Sequence, residues 1–212
     1  FTMISTDWRG SPISGADADA LELYEQALAG FQCWRGEAAL HAGRARAQAP
    51  GFVMAYVLEA SLLMCSREAS ALLWRLYLRG EDCGARPAAL ARDWLPRIGD
   101  GFCTFNDLHA MMAFVAAGEW DAAGRLLHAL TRRQLLPTHY GEMTRTVGLP
   151  ACRALAAFGR GDCAGAIGLL GTLPAVAQRL GGSHAQRDVI ALTLLEAVER
   201  LRRRTRPLRP AA

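Results

Sequence analysis

The chain has 212 residues, a formal net charge of +4, and hydrophobic side chains at 51% of its positions. This length allows one large or two small domains with a sizeable core. All 24 basic residues are arginine, which excludes a P-loop, Schiff-base or kinase-type lysine from these residues. The mild charge argues against nucleic-acid binding. No apolar run approaches the roughly 20 residues of a membrane span, so we expect no membrane partner.

Six cysteines are scattered along the chain without a Cys-x-x-Cys pair. Such spacing argues against a zinc site and is typical of reduced thiols in a cytoplasmic protein. The arginine-only basic composition favours a G+C-rich, bacterial source. The sequence therefore predicts a cytoplasmic protein with no metal and no cofactor. The cysteines are Cys33, Cys65, Cys83, Cys103, Cys152 and Cys163.

Sparse β-branched residues and apolar residues at helical spacing predict a helical chain. Ser14 precedes the first helix as its expected cap. The segment 105–117 is apolar nearly all round and should be a central, buried helix. The predicted helices, in chain order, are 16–33, 37–48, 52–66, 70–79, 85–95, 105–117, 121–135, 142–158, 162–173 and 183–204.

A short motif recurs between neighbouring helices, beginning at Gly36, Gly118 and Gly161. In each copy a glycine turns the chain, an acidic residue favours the next helix start, and alanines allow close packing of the paired helices. The first unit closes on Pro50, as a tetratricopeptide unit does, although its aromatic positions match poorly. The motif predicts an all-α, right-handed superhelix of antiparallel helical hairpins of tetratricopeptide-like type.

Three motifs together resemble the tetratricopeptide repeat protein 38 family. They are Phe-Asn-Asp-Leu-His at 105–109, Val-Gly-Leu-Pro at 147–150, and Gly-Gly-Ser followed by Ala-Gln-Arg-Asp-Val within 181–189. The resemblance implies a helical-repeat fold and no established enzymatic activity. It also implies several more repeats in the middle of the chain. We therefore expect N-terminal hairpins at 1–66, a C-terminal repeat region with a basic tail at 67–212, and one continuous solenoid whose central repeats are absent or missing near 65–70.

A polar cluster opens the last predicted helix. Ser183 and Gln186 have the spacing of a capping box. Arg187 and Asp188 instead begin helical stripes that continue with apolar residues such as Leu195, so both charges are expected on burying faces. Buried charges must be paired or line a cavity. The cluster is thus either a structural ion-pair network or part of a ligand pocket.

A second polar cluster opens the predicted central helix. Thr104 and Asp107 have capping-box spacing, and the helix dipole favours the aspartate. His109 is expected as a core histidine that donates to a carbonyl. The alternative is a shared site, in which this cluster meets the 183–188 segment at one end of adjacent hairpins. The binding residues would then be Asn106, Asp107, His109, Gln186, Arg187 and Asp188.

Two functions are compatible with these clusters. The sequence favours a non-catalytic helical-repeat scaffold that binds a protein, peptide or small molecule on its concave surface, with homodimerisation as a further possibility. The alternative is a hydrolase or lyase, with His109 as base, Asp107 or Asp188 orienting it, and Arg187 holding an anionic substrate. The common metalloprotease, serine hydrolase and dinucleotide motifs are absent from the sequence.

Overall fold

The structure is a computed structural model that describes residues 4–7, 9–32, 37–101 and 103–205. Cys33, the Gly36 that opens the first repeat motif, and the basic tail after residue 205 lie outside the described residues. The chain divides into two compact units, Phe1–Ser66 and Arg67–Ala212. Each unit is described by itself. The arrangement of the whole chain as one continuous solenoid stays a prediction.

The first unit combines a β-hairpin with helices. Strands β1 (Ile4–Thr6) and β2 (Pro12–Ser14) pair antiparallel, and α1 (Ala18–Gln32) and α2 (Ala38–Gln48) follow. The expected cap at Ser14 is wrong, because Ser14 is the last residue of β2. Asp17 takes that role instead: its carboxylate accepts the Ala20 amide at 2.8 Å, as its position just before the helix allows.

Alanines bring α1 and α2 close together in the core of the first unit. Ala20 and Ala27 of α1 and Ala42 of α2 are completely buried. The rings of Tyr24 and Phe52 meet edge to face at a centroid distance of 5.1 Å, a geometry that aromatic pairs favour. This unit therefore packs small residues around one aromatic pair.

Helix α3 runs without interruption over Val53–Arg79. The expectation of two separate helices, at 52–66 and 70–79, is wrong. No glycine or proline lies within the helix, and the polar residues at 66–70 are all compatible with helical backbone, so nothing breaks the hydrogen-bond ladder. The boundary between the two units falls inside this helix.

The regular secondary structure described in the second unit is all helical, and the chain is confirmed as predominantly α-helical. Two expected helices are interrupted. A π-helical turn precedes Pro150, whose nitrogen carries no hydrogen to donate to the preceding turn. The other break lies at Asp188. The helical elements after α3 are α4 (Arg86–Trp94), a 3-10 helix (Leu95–Gly99), α5 (Thr104–Ala117), α6 (Trp120–Arg133), α7 (His139–Met143), the π turn (Thr144–Gly148), α8 (Leu149–Gly159), α9 (Cys163–Leu170), a second 3-10 helix (Leu173–Leu180), α10 (His184–Arg187) and α11 (Val189–Thr205).

Helix α5 lies at the centre of the second unit, as its all-round apolar sequence predicts. It packs against α4, α6, α8 and the π turn, and eleven of its residues are buried. The π turn approaches so closely that a Cβ at Gly148 would collide with the Thr104 methyl group. Gly118 and Gly161 adopt φ values of +72° and +81° at the turns before α6 and α9, as the repeat motif predicts.

Two indole hydrogen bonds join α3 to other helices of the second unit. Trp74 Nε1 donates to Thr193 Oγ1 of α11 at 2.8 Å. Trp94 Nε1 of α4 donates to Ser70 Oγ at 2.9 Å. Both indoles are buried, so each bond satisfies a donor that water cannot reach.

Among the described residues, no individual helix has the length and hydropathy needed to cross a membrane. The segments Cys163–Leu170 and Leu173–Leu180, which meet at an angle of 68°, satisfy that length and composition test jointly. Cys163, Ala166 and Leu170 are buried within the second unit.

Candidate functional site

The 181–188 segment begins with the predicted capping box. Ser183 Oγ accepts the Gln186 amide at 3.2 Å, and Gln186 Oε1 accepts the Ser183 amide at 2.8 Å. The preceding residue, Gly182, has φ +74° and lies against the Phe105 ring, where an added Cβ would come within 2.6 Å of two ring carbons. The start of α10 is therefore fixed both by its own cap and by contact with α5.

Asp188 is held by an ion pair with Arg75 of α3. The Arg75 guanidinium also donates to the Ala185 carbonyl. The side chains of Arg75 and Asp188 are 28% and 35% exposed, so the expectation that Asp188 lies on a buried face is wrong. The chain breaks its helix at this residue, which leaves the carboxylate at the edge of the core rather than inside it.

Arg187 and Gln186 have different partners. Arg187 Nη1 donates to the carbonyls of Gly181 and Gly182, and no carboxylate pairs with it among the described residues. Gln186 Nε2 donates to Glu68 Oε1 of α3. The ion-pair alternative thus describes Asp188 and not Arg187, because successive helical residues point about 100° apart and reach different neighbours.

Phe105 links the two polar clusters, although sequence reasoning assigned it no role. Besides Gly182, its ring contacts the Arg67 guanidinium, 5.7 Å from the ring centroid, and the His109 imidazole, at a centroid distance of 4.2 Å. Arg67 Nη1 also donates to Asn106 Oδ1 at 3.4 Å. The helical spacing of Phe105 and His109 is the signal that could have revealed this aromatic contact.

His109 is sealed in the core. Its Nδ1 lies 2.7 Å from the Phe105 carbonyl oxygen, while its Nε2 is buried and has no hydrogen-bond partner among the described residues. Burial lowers the pKa of His109 to about 4, the carbonyl opposes that shift, and Arg67 and Arg75 lower the pKa further. The imidazole is therefore neutral near pH 7, with Nδ1 as the donor to the carbonyl.

Asp107 faces away from His109. The two residues are two positions apart and therefore point about 200° apart around α5. Asp107 Oδ2 accepts the Tyr140 hydroxyl at 2.8 Å. Burial raises the Asp107 pKa to about 6, against the opposing effects of Tyr140 and Arg133. The expected capping box is wrong: Thr104 is already the first residue of α5, and the cap position belongs to Cys103, which makes no side-chain cap bond.

A small cavity lies beside Asp107. Its volume is about 10 Å³, which is the space of a single water molecule. Asn106, Asp100 and Cys103 are among its lining residues. A cavity of this volume is too small for a substrate-sized ligand.

The six sequence-predicted site residues do not form one pocket. Asn106 and His109 lie with Arg67 and Phe105, and the 186–188 residues bond to Glu68, to backbone carbonyls and to Arg75. Asp107 lies about 200° around α5 from His109 and shares only the small cavity described above with Asn106. The expectation that Asp107 or Asp188 orients His109 is wrong. The Phe105 carbonyl occupies the imidazole Nδ1, and the two carboxylates bond instead to Tyr140 and to Arg75. Within the described ranges, no group of three His, Cys, Asp or Glu residues could hold a metal ion.

The second unit has an open groove that the sequence did not reveal. It lies between the C-terminal end of α3 and most of the length of α11, and we call it the α3/α11 groove. Its volume is about 570 Å³. Leu195 is 66% exposed at this surface, which corrects the expectation that its apolar stripe is buried. The apolar lining residues are Leu78, Leu192, Leu195 and Val198, and the charged ones are Arg75, Arg79, Glu196, Glu199 and Arg202.

Comparison of the chain with protein-family models gives no match, and comparison with solved structures gives no match either. The resemblance to the tetratricopeptide repeat protein 38 family therefore stays a prediction. The class that the fold defines is an all-α protein with a small two-stranded sheet.

Proposed function

We propose that this protein is a non-catalytic binding module that takes a segment of a partner protein into the α3/α11 groove. One observation carries the proposal: Leu195 is 66% exposed and lines the groove between the half-buried Leu192 and Val198 of α11. Full burial of one leucine side chain is worth about 1.5–3 kcal/mol. Apolar side chains that line a groove and are bordered by charged residues have the composition of a binding site.

The polar clusters support binding over catalysis. His109 has no solvent access, and its neighbours in the structure are a carbonyl, an aromatic ring and arginines rather than a carboxylate. A general base needs a path to its substrate proton. Asp188 is engaged by Arg75, so the residues suspected of acid–base chemistry have structural partners.

We further propose that the helices form degenerate tetratricopeptide-like repeats of the kind found in the tetratricopeptide repeat protein 38 family. The contacting pairs α5 with α6 and α8 with α9, each joined by a short glycine turn, support this assignment. A cytoplasmic, bacterial setting is also proposed. Free thiols at five of the six cysteines support the reducing compartment.

A peptide-library selection tests the binding function. Peptides of about 16 residues, displayed on phage, would be selected on the full chain, and the affinities of the winners measured by fluorescence anisotropy. We expect Leu195→Asp to abolish their binding, because a carboxylate in the apolar floor must be desolvated. Leu135→Asp is the matched control, since Leu135 is 79% exposed and does not line the groove.

The selection also has a clear negative outcome. Peptides that bind Leu195→Asp as tightly as the unmodified chain would place binding elsewhere and overturn the proposed function. Circular dichroism of both variants provides the folding control, because an exposed leucine in either position contributes little to the core.

A further inference from the structure

We infer that the occupant of the α3/α11 groove is an acidic amphipathic helix of a partner protein. This inference rests on the proposed binding function and adds the chemistry of the partner. It is carried by two observations: the spacing of the apolar residues along α11 and the sign of the charges that remain unpaired at the groove.

The apolar residues of α11 form a continuous stripe. Leu192, Leu195 and Val198 follow one another at three-residue intervals and line the groove together with Arg202. The lining of the groove on α11 extends over ten positions, from Leu192 to Arg202, which corresponds to about 15 Å along a helix. A partner helix of about three turns, with apolar residues at i, i+3 or i+4, and i+7, matches that length.

The walls of the groove favour a helical partner over an extended one. Its lining residues come from two helices, α3 and α11. Their backbone groups are paired within each helix except at the C-terminal end of α3, where the Leu78 carbonyl accepts Arg200 Nη2 at 3.2 Å. An extended peptide gains most of its affinity from main-chain bonds to an exposed sheet edge. This groove offers no such edge among its described lining residues, so side-chain packing must supply the binding energy.

The acidic residues at the groove are already paired. Glu196 accepts Arg200 Nε at 2.8 Å, and Glu199 accepts Arg203 Nε at 3.1 Å. Each pair lies within α11 at the favourable four-residue spacing. The two glutamates therefore present little uncompensated negative charge to a partner.

The unpaired charges at the groove are positive. Arg75 is paired with Asp188, but the guanidinium groups of Arg79 and Arg202 have no hydrogen-bonding or ionic partner among the described residues, and both residues are exposed. They line the groove together with the apolar stripe. Carboxylates that flank the apolar face of a partner helix would complement them, whereas lysines at the same places would be repelled.

Two designed peptides test this inference. Both carry leucines at i, i+3, i+7 and i+10 in a 16-residue helix; one has glutamates flanking the apolar face, and the other has lysines at the same positions. Anisotropy would be measured with the full chain at low salt and at 0.5 M salt. We expect the acidic peptide to bind about tenfold tighter at low salt, which corresponds to two partly exposed ion pairs, with the difference reduced at high salt.

Charge reversal tests whether Arg79 and Arg202 cause the preference for the acidic peptide. Arg79→Glu combined with Arg202→Glu should invert the order of the two peptides. The matched control is Arg125→Glu with Arg132→Glu, because both of these arginines are exposed on α6 outside the groove. Thermal melting followed by circular dichroism checks that both double variants are folded.

The outcomes separate this inference from the proposed function. Equal binding of the two peptides, with Leu195→Asp still abolishing it, would overturn the acidic partner and leave the binding groove intact; Arg79 and Arg202 would then serve only their own helix C-termini. Binding of either peptide independently of Leu195 would count against the groove itself. Failure of the acidic peptide, together with a dimer that Leu195→Asp converts to monomer in sedimentation, would identify a second copy as the occupant.

Discussion

The imidazole of His109 packs on the ring of Phe105 and is hydrogen-bonded, through Nδ1, to the backbone carbonyl of that same residue, at 2.7 Å. One residue thus provides both the apolar surface and the polar acceptor for the buried histidine. The neutral imidazole donates its one N–H to this carbonyl. Its other nitrogen, Nε2, is an acceptor that is buried without a partner among the described residues. This arrangement makes His109 a structural group whose charge is costly.

Acidification should destabilise the protein through His109. The pKa of this residue is about 4 in the fold and about 6.5 in an unfolded chain. Between these values the unfolded chain binds more protons, so stability falls as pH falls. Between pH 7 and pH 5, the free energy of unfolding of the unmodified chain should fall by about 2 kcal/mol more than that of His109→Gln. Urea denaturation at both pH values measures this difference; parallel stability curves for the two proteins would contradict it.

Asp107 should have the opposite pH dependence. Its pKa is raised from 3.8 to about 6 by burial, so the folded chain binds more protons in this window and stability rises as pH falls through 6. Between pH 7.5 and pH 4.5, the free energy of unfolding of the unmodified chain should rise by about 2 kcal/mol relative to that of Asp107→Asn. Asparagine can still accept the Tyr140 hydroxyl, which makes it the informative replacement. A constant difference between the two proteins would show that the carboxylate is not desolvated.

Gly182→Ala should destabilise the fold more than Gly181→Ala. Both glycines have positive φ, +74° and +79°, so each alanine is strained by about 1 kcal/mol. Only at Gly182 would the new methyl group overlap the Phe105 ring, which should add about 1–3 kcal/mol for overpacking. Thermal or urea unfolding of both variants measures the difference. Equal losses would mean that the ring moves aside freely.

Arg187→Ala should cost only about 1 kcal/mol of stability. A buried ion pair would cost about 3 kcal/mol or more when one partner is removed, but the Arg187 guanidinium donates to two backbone carbonyls at an exposed loop, where water can replace it. Urea denaturation provides the measurement, with Arg153→Ala, at an exposed position on α8, as the control. A decrease of more than about 3 kcal/mol in the free energy of unfolding would indicate instead that Arg187 is a buried, paired charge.

Local chemistry made the hairpin turns and the Ser183–Gln186 cap predictable. Gly118 and Gly161 occupy left-handed backbone positions that favour glycine. A serine followed by glutamine at the third helical position is the sequence signature of a capping box. The signals are contained within four or five residues. They therefore do not depend on what the rest of the chain does.

The features that the sequence did not predict depend on distant contacts. The break before α11 accompanies the pairing of Asp188 with Arg75, more than a hundred residues away. An apolar stripe reads the same whether it is covered or open, so the exposure of Leu195 could not be foreseen. The opposite directions of Asp107 and His109, in contrast, follow from the helical period and were available in the sequence.

The close approach of the π turn to α5 couples two distant positions of the chain. A Cβ atom at position 148 would overlap the methyl group of Thr104. A larger residue at position 148 therefore requires a smaller one at position 104. Among relatives of this protein, an alanine at position 148 should accompany a serine or smaller residue at position 104. Correlated substitution at these two positions would therefore indicate, from sequences alone, that the π turn contacts α5 in those relatives.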